Sequence, residues 1–280
     1  MRRRRLHGLL PRLLRALAVL LMVAWSAGPV LFVVTASFKQ QLDIFAYPPK
    51  IVFRPTFDHY VTLWNTWDAF LPTLRNSLIV SVGATLLAVC VSFLGGYVYS
   101  RYYSRLLAAS AVYMIAIRLL PPIVVTLPLF PVIDFLGLSD TYAVLILLYA
   151  SFWVSLCTMV VKTFVDEIPK ELDEAAFVDG ATHLQTITKV ILPLSLQGMM
   201  ASGIFVFVYS WNEYLFALIF TTQHAKTAPL VISEVMDAIY GTDWGVLFAG
   251  VTIQLVPVVA LVVLGQRLLV AGLTAGSVKG

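Results

Sequence analysis

The chain has 280 residues, of which 60% are hydrophobic and only 12% are charged, with a formal net charge of +4. So apolar a composition cannot cover a water-exposed surface, which excludes a soluble globular protein and indicates an integral membrane protein. The sequence contains no GxxxxGKS or GxxxxGKT phosphate-binding loop and no Cys/His cluster with metal-ligand spacing. We therefore expect no ATP hydrolysis, no metal site and no catalytic residue in this chain. Cys90 and Cys157 lie in apolar runs and are expected to pack there rather than to form a disulfide.

The first predicted element is an uncharged run at residues 16–38. It follows six arginines, which are Arg2, Arg3, Arg4, Arg5, Arg12 and Arg15. The run can cross a bilayer, because a transmembrane helix needs about 20 apolar residues. A cleaved signal peptide is the alternative, but its apolar core is shorter, and Gly28-Pro29 lies where a cleavage site needs small flexible residues. The arginines predict a cytoplasmic N-terminus by the positive-inside rule.

Six membrane spans are predicted, so the expected fold is an all-α integral membrane domain that occupies the whole chain. The approximate bounds of the spans are residues 16–38, 76–99, 106–132, 142–161, 198–220 and 245–264. An even number of spans places both termini in the cytoplasm. It also leaves the mixed, Trp- and Pro-containing segment 39–68 and the segment 221–243 on the outer side, and the segment 167–193 in the cytoplasm.

Two details of the third and fourth spans are predicted from single residues. The third span is expected to be bent, because it contains Pro121, Pro122, Pro128 and Pro131. Ser139-Asp140 is expected to cap the fourth span at its N-terminus.

Residues 167–193 form the one long polar segment between apolar runs. Acidic residues open its first helix, and Gly180 can adopt the left-handed conformation that ends it. Thr182 with Gln185 three residues later is a capping-box pattern that starts a second helix, and Pro193 is expected to end that helix. The segment is therefore predicted to be a compact helical elbow.

The elbow carries a sequence pattern that is similar to a known one. Its residues are Glu174, Ala175, Ala176, Gly180, Val190, Leu192 and Pro193. They resemble the EAA loop of the permease subunits of binding-protein-dependent ABC importers, although Val190 stands where that family usually has Ile. The resemblance implies a type I importer permease with six transmembrane helices. It also implies that segment 167–193, hereafter the coupling segment, holds coupling helices that sit in a cleft of a cytoplasmic ATPase subunit, with Asp179 among the coupling residues. The alternative is an ordinary amphipathic helix pair at the surface.

The C-terminal quarter narrows the resemblance. Its matching residues are Trp244, Pro257, Gln266, Arg267, Gly272 and the terminal Gly276-Ser277-Val278-Lys279-Gly280. They are similar to the second of the two unlike permease subunits of maltose-type carbohydrate importers, although a frayed glycine-rich end is the alternative. The resemblance implies a second permease subunit, two ATPase subunits, an extracytoplasmic binding protein, membrane lipid and a sugar or polyol as partners, and no nucleic acid. It places ATP and Mg²⁺ on the ATPase subunits and no cofactor on this chain.

Polar residues within predicted spans are candidates for the substrate pathway, since such residues are costly in a bilayer. In the fifth span Asn212 and Glu213 are flanked by Tyr209, Trp211 and Tyr214. Hydrogen-bonding groups beside aromatic rings suit a hydroxyl-rich ligand. Equally, Glu213 can pair with a neighbouring helix and have a purely structural role.

Arg118 in the third span is the other intramembrane charge. It is expected to face protein or water rather than lipid, and an ion pair with Glu213 would satisfy both residues.

Two classes of function fit these observations. The favoured one is a passive translocation subunit of the inner membrane, which passes a sugar or sugar alcohol while partner subunits hydrolyse ATP. The alternative is a stand-alone six-span transporter or channel for a polar solute, which would have no need of the coupling segment. The solute itself is left open.

Overall fold

The computed structural model describes residues 3–67, 69–237 and 241–274, and its regular structure is helical apart from one short hairpin. The N-terminal helices are α1 (Arg3–Ala36), α2 (Gln41–Ile44) and α3 (Asp58–Thr66). The central helices are α4 (Phe70–Arg101), α5 (Arg105–Ala116), α6 (Pro122–Phe135), α7 (Tyr142–Asp166), α8 (Glu171–Val178) and α9 (His183–Thr186). The last elements are α10 (Leu192–Trp211), α11 (Leu215–Phe220), α12 (Ala228–Glu234), strands β1 (Met236–Asp237) and β2 (Gly241–Thr242), and α13 (Trp244–Thr274). The predicted tail motif 276–280 lies outside the described residues.

Several of these helices have the length and composition of membrane spans. In the part of the chain that the structure describes they are Arg12–Ala36, Phe70–Arg101, Tyr142–Asp166, His183–Trp211 and Trp244–Gln266. Taken together, α5 and α6 are also long and apolar enough to cross a membrane, although their axes bend by 96° at the break between them. Counting this pair as one span raises the number of candidate spans from 5 to 6. The all-α membrane fold is thus confirmed, while the exact limits of the bilayer along each helix stay predictions.

The bend of the third span comes from its prolines. A 3-10 turn at Ile117–Leu119 follows α5, and the chain is extended at Leu120 before α6 begins at Pro122. A residue that precedes proline is pushed out of the helical region, and a proline at the first helical position loses no hydrogen bond. The predicted bend is therefore confirmed at Pro121-Pro122.

The fifth predicted span, 198–220, is not one continuous helix. A helical stretch runs from His183 to Trp211, and α11 begins only at Leu215. Asn212 and Glu213, which are predicted to lie within this span, follow the end of α10 at Trp211 and lie at the break before α11. An apolar run in a sequence shows where a chain can enter lipid, but it does not show where its backbone leaves the helix.

The chain forms two compact units, and the described residues of 69–231 and 256–274 form the larger one. In it α4, α7 and α10 pack closely because small residues line their contacts. A side chain at Gly96 would come within 2.9 Å of the backbone nitrogen of Lys162, and Cys157 packs with Ala88 and Val206 in an apolar cluster. Close packing fixes the C-terminal end of α4 against the end of α7, next to the coupling segment.

The smaller unit comprises the described residues of 1–68 and 232–255. Its aromatic cluster joins α1 to the start of α13, where the rings of Phe32 and Phe248 meet edge to face at 5.8 Å. The backbone N–H of Gly245 donates to Gln41 Oε1 at 3.0 Å, and His59 Nε2 lies 2.7 Å from the carbonyl oxygen of Lys39. These contacts order the segment that was predicted to lie outside the membrane.

Candidate functional site

The first coupling helix, α8, ends in a Schellman motif. Gly180 has a φ of +81°, which lies in the left-handed region. The N–H of Gly180 donates to the carbonyl of Phe177 at 3.0 Å, and the N–H of Ala181 donates to the carbonyl of Ala176 at 2.9 Å. Glycine adopts this conformation at no steric cost, which explains why it stands here. The predicted role of Gly180 as a helix stop is confirmed.

A capping box starts the second coupling helix, as predicted. The N–H of Gln185 donates to Thr182 Oγ1 at 3.3 Å, and the N–H of Thr182 donates to Gln185 Oε1 at 2.8 Å. The expectation that Pro193 ends this helix is wrong, because the helix continues through a π-helical segment, Ile187–Ile191, into α10. The wider π turn bonds the N–H of Leu192 to the carbonyl of Ile187, and this adjusted ladder accommodates a proline that cannot donate.

A buried ion pair ties the coupling segment to α4. Arg101 Nε lies 2.6 Å from Asp173 Oδ2, and the two side chains are only 7% and 9% exposed. The pair is electrostatic rather than an aligned hydrogen bond, because neither atom has a partner that meets hydrogen-bond geometry. Arg101 also donates to the carbonyls of Val165 and Ile168, at 3.2 and 3.1 Å. Its guanidinium therefore joins the last turn of α4, the end of α7 and the first turn of α8.

The outer surface of the coupling segment is exposed and partly apolar. The predicted coupling residues divide by exposure into Glu174, Ala175, Asp179, Gly180 and Pro193, which are exposed, and Ala176 and Leu192, which are half-buried. Val178 is 87% exposed and Leu184 is 70% exposed, and both are apolar. A charged and apolar surface on a well-anchored helix pair has the features of a protein interface.

The predicted aromatic and amide cluster around residue 212 is dispersed in the structure. Trp211 is buried and stacks on the ring of Phe207 at 5.8 Å. Asn212 donates from Nδ2 to the carbonyl of Val208 at 2.7 Å and thereby caps the end of its own helix. Tyr214 is 38% exposed and precedes α11. The role of these residues in a substrate pathway stays a prediction.

Glu213 has the structural role that the sequence left open. Its carboxylate accepts hydrogen bonds from the backbone N–H groups of Phe216 at 2.8 Å and Ala217 at 3.3 Å. It also lies beside the hydroxyl of Tyr149, which is buried on α7. The free N–H groups at the start of α11 need acceptors, and Glu213 supplies them at the helix break.

Arg118 makes no ion pair with Glu213, so the suggested pairing is wrong. Its guanidinium carbon lies 4.6 Å from the ring centre of Trp153 and 5.2 Å from that of Phe152. Trp153 in turn stacks on Tyr209 at 4.2 Å. Glu213 is occupied by backbone donors, so the charge of Arg118 is stabilised by aromatic faces instead.

Asp140, which was predicted to cap the fourth span, anchors a distant loop instead. The cap is Thr141, whose hydroxyl accepts from the N–H of Val144. The carboxylate of Asp140 accepts from the backbone N–H groups of residues 222–225 at 2.9 to 3.2 Å. Partial burial works to raise the pKa of this carboxyl, but the four backbone hydrogen bonds outweigh that effect and lower the pKa to about 2.

Asn76 holds the same loop from α4. Its side chain donates to the carbonyls of His224 and Lys226 at 3.0 and 2.9 Å and accepts from the hydroxyl of Tyr142 at 2.8 Å. Asn76 thus ties the loop to α4, and its amide oxygen accepts a hydrogen bond from α7.

The chain matches the model of the binding-protein-dependent transport system inner membrane component over residues 90–274. The chain belongs to this family. It is 33% identical over 276 residues to the trehalose/maltose transport system permease protein MalG of Thermococcus litoralis. This alignment covers 97% of this chain and 98% of the relative. It is 34% identical over 265 residues to the trehalose transport system permease protein SugB of Mycobacterium tuberculosis, with 93% and 95% coverage.

Among solved structures, the family member is similar to a bacterial ABC transporter involved in the import of the acidic polysaccharide alginate. The TM-score is 0.76 at 16% identity, over 95% of this chain and 98% of that chain. This likeness confirms the fold of an ABC importer permease, and the chain is a multi-pass membrane protein. It does not by itself transfer a substrate, because the identity is low.

Proposed function

We propose that this permease is the transmembrane subunit of an ATP-driven importer that passes a sugar or sugar alcohol into the cell. The observation that carries the proposal is the coupling segment, which is fixed by the Arg101–Asp173 pair and presents exposed Val178 and Leu184 to a partner. A surface held so firmly by its own chain suits the transmission of movement. The names of two relatives support the sugar class. One is a permease of a trehalose/maltose transport system, and the other is a permease of a trehalose transport system.

The same proposal assigns the other components. A second, unlike permease completes the pathway, an extracytoplasmic binding protein delivers the solute, and two ATPase subunits bind ATP and Mg²⁺ and contact Glu174, Asp179 and their neighbours. This chain then has no enzymatic activity of its own. The chain lies in a bacterial inner membrane, with both termini in the cytoplasm. It crosses the membrane six times, and α5 and α6 together form one bent span.

Substitutions on the exposed coupling surface test this assignment. Val178→Asp and Leu184→Asp place unpaired charges in the proposed interface, and we expect each to lower the amount of co-purified ATPase about tenfold. Val52→Asp is the matched control, because Val52 is 92% exposed in the segment predicted to lie outside. Solute uptake by the purified chain alone, without any ATPase, would instead identify a stand-alone transporter.

A further inference from the structure

The bend between α5 and α6 encloses a cavity of about 290 Å³ against α7. Its lining includes Arg118 from the bend, Tyr113 from α5, Phe152 and Ser155 from α7, and Phe216 from α11. The volume is close to the lower end of the range for small-molecule sites, which begins at about 300 Å³. The cavity is therefore large enough for a single sugar-sized ligand or for one group of a larger one.

Arg118 brings an uncompensated positive charge to this cavity. None of the residues that line it is acidic, and Arg118 forms no ion pair among the described residues. Its Nη1 is buried and has no hydrogen-bond partner in the part of the chain that the structure describes. The rings of Phe152 and Trp153 lie against the guanidinium, and its unpartnered Nη1 remains available as a donor to a ligand in the cavity. Arg118 as a whole is half-buried, but its buried Nη1 is costly to leave without an acceptor, which a ligand in the cavity can supply.

Ser155 adds a second unused hydrogen-bonding group on the same wall. Its side chain is 6% exposed, and its hydroxyl has no partner in the described chain. A helical serine or threonine commonly satisfies its hydroxyl on the carbonyl four residues earlier, as Thr158 does with Val154 at 2.7 Å on this helix. Because Ser155 does not, its hydroxyl is available to the cavity.

We propose that this cavity binds an acidic group, namely the carboxylate, phosphate or sulfonate of a sugar on its way through the importer. The guanidinium edge of Arg118 forms the charged contact, the hydroxyl of Ser155 donates a further hydrogen bond, and Phe152 and Phe216 face the apolar side of the sugar ring. This inference rests on the proposed function as a sugar importer and deepens it, because it makes part of the cargo anionic.

The test measures binding to the assembled permease complex in nanodiscs of neutral phosphatidylcholine. Radiolabelled glucuronate and glucose 6-phosphate are compared with glucose, since all three share one ring and differ in charge. At least one acidic probe should bind about tenfold more tightly than glucose. Arg118→Gln should abolish that preference, Ser155→Ala should reduce it about threefold to tenfold, and Arg75→Gln, at an exposed arginine of α4, should leave it unchanged.

Several outcomes would overturn the proposal. The acidic probes could bind no better than glucose, or their preference could survive Arg118→Gln. An anionic lipid headgroup would be the true ligand if Arg118-dependent binding were found only for phosphatidylglycerol added to the nanodiscs. Loss of the second permease from Arg118→Gln complexes would show that a partner's carboxylate pairs with Arg118.

A separate measurement distinguishes failure of this inference from failure of the proposed function. The complex is reconstituted with its binding protein, and ATP-dependent uptake is screened over neutral and acidic sugars. Uptake of neutral sugars alone would leave the importer assignment intact and reject the acidic site. Absence of any sugar uptake would reject the assignment itself.

Discussion

At the scale of single residues, Asp140 shows how a side chain outside the membrane organises the chain. It has a φ of +57°, a conformation that non-glycine residues rarely adopt, and its carboxylate gathers the N–H groups of residues 222–225. The hydrogen bonds to its carboxylate offset the cost of the left-handed backbone conformation of Asp140. A loop that would otherwise leave four donors unsatisfied is thereby fixed to the turn between α6 and α7.

Asp140→Asn isolates the contribution of this charge, because asparagine tolerates the left-handed backbone and has the same shape. We expect the substitution to destabilise the protein by about 2 kcal/mol at pH 7, since hydrogen bonds to a charged group are the strong ones. The folded pKa of Asp140 is lowered from 3.8 to about 2. Its stabilisation is therefore complete above pH 4 and is lost as the pH falls toward 2.

The measurement for Asp140 is thermal unfolding in detergent between pH 2 and pH 8. The difference between wild type and Asp140→Asn should be constant above pH 4 and should shrink below it. Asp134→Asn is the control, because Asp134 is on the preceding helix and, among the described residues, its side chain accepts a single hydrogen bond, from Ser139. A pH-independent difference at position 140 would contradict the role of the charge.

At the scale of elements, the coupling segment depends on the backbone conformation of one residue. A Cβ atom at Gly180 would meet no atom of the described residues within 4 Å, so space does not require a glycine there. The requirement is the φ of +81° that turns α8 into the capping box of α9. A substitution therefore tests the angle of the elbow without disturbing any packing.

Gly180→Val should leave the protein inserted and assembled but should uncouple transport from ATP hydrolysis. A β-branched residue with positive φ is strained by about 1–3 kcal/mol, which the chain relieves by changing the angle of the elbow. Gly180→Asn is the matched variant and should stay near wild type. The ratio of uptake to ATP hydrolysis in proteoliposomes should be low for Gly180→Val and near wild type for Gly180→Asn. Equal ratios for the two variants would show that Gly180 is no hinge.

The coupling segment also shows which features a sequence can predict. The helix stop at Gly180 and the Thr182–Gln185 capping box depend on residues a few positions apart, and both predictions are confirmed. The prediction that Pro193 ends the second helix is wrong, because a π-helical segment restores the hydrogen bonds that an ordinary helix would lose. No sequence pattern relates Asp173 to Arg101, 72 residues away, so their ion pair is not predictable from the sequence. Contacts over such distances are set by packing rather than by periodicity.

At the scale of the whole molecule, α4 links the predicted outer side to the coupling segment. Near its N-terminus Asn76 holds the carbonyls of His224 and Lys226, and at its C-terminus Arg101 holds Asp173. The 25 helical steps between Asn76 and Arg101 span about 38 Å, which exceeds the thickness of a bilayer core. On the proposed function, we therefore expect α4 to carry movement of the coupling segment to the loop at its other end.

The Arg101–Asp173 pair is the joint in this connection, and a double-mutant cycle tests it. Arg101→Met or Asp173→Leu alone strands a buried charge and should cost about 3–5 kcal/mol. The double variant should lose at least about 2 kcal/mol less than the sum of the single losses. Lys162→Met with Asp166→Leu is the matched control, because that pair has the same 2.6 Å separation but both side chains are 34% exposed.

The exposed control pair should show a coupling energy below about 0.5 kcal/mol, since water screens its charges. Unfolding of the purified complex measures stability, and uptake per ATP hydrolysed in proteoliposomes measures transmission. The double variant strands no charge but still lacks the hydrogen bonds of Arg101 to Val165 and Ile168. Its stability should therefore recover in part, while its uptake per ATP stays low. Recovery of both quantities would show that the pair only stabilises the fold, and additive losses of stability would show that the two charges do not interact.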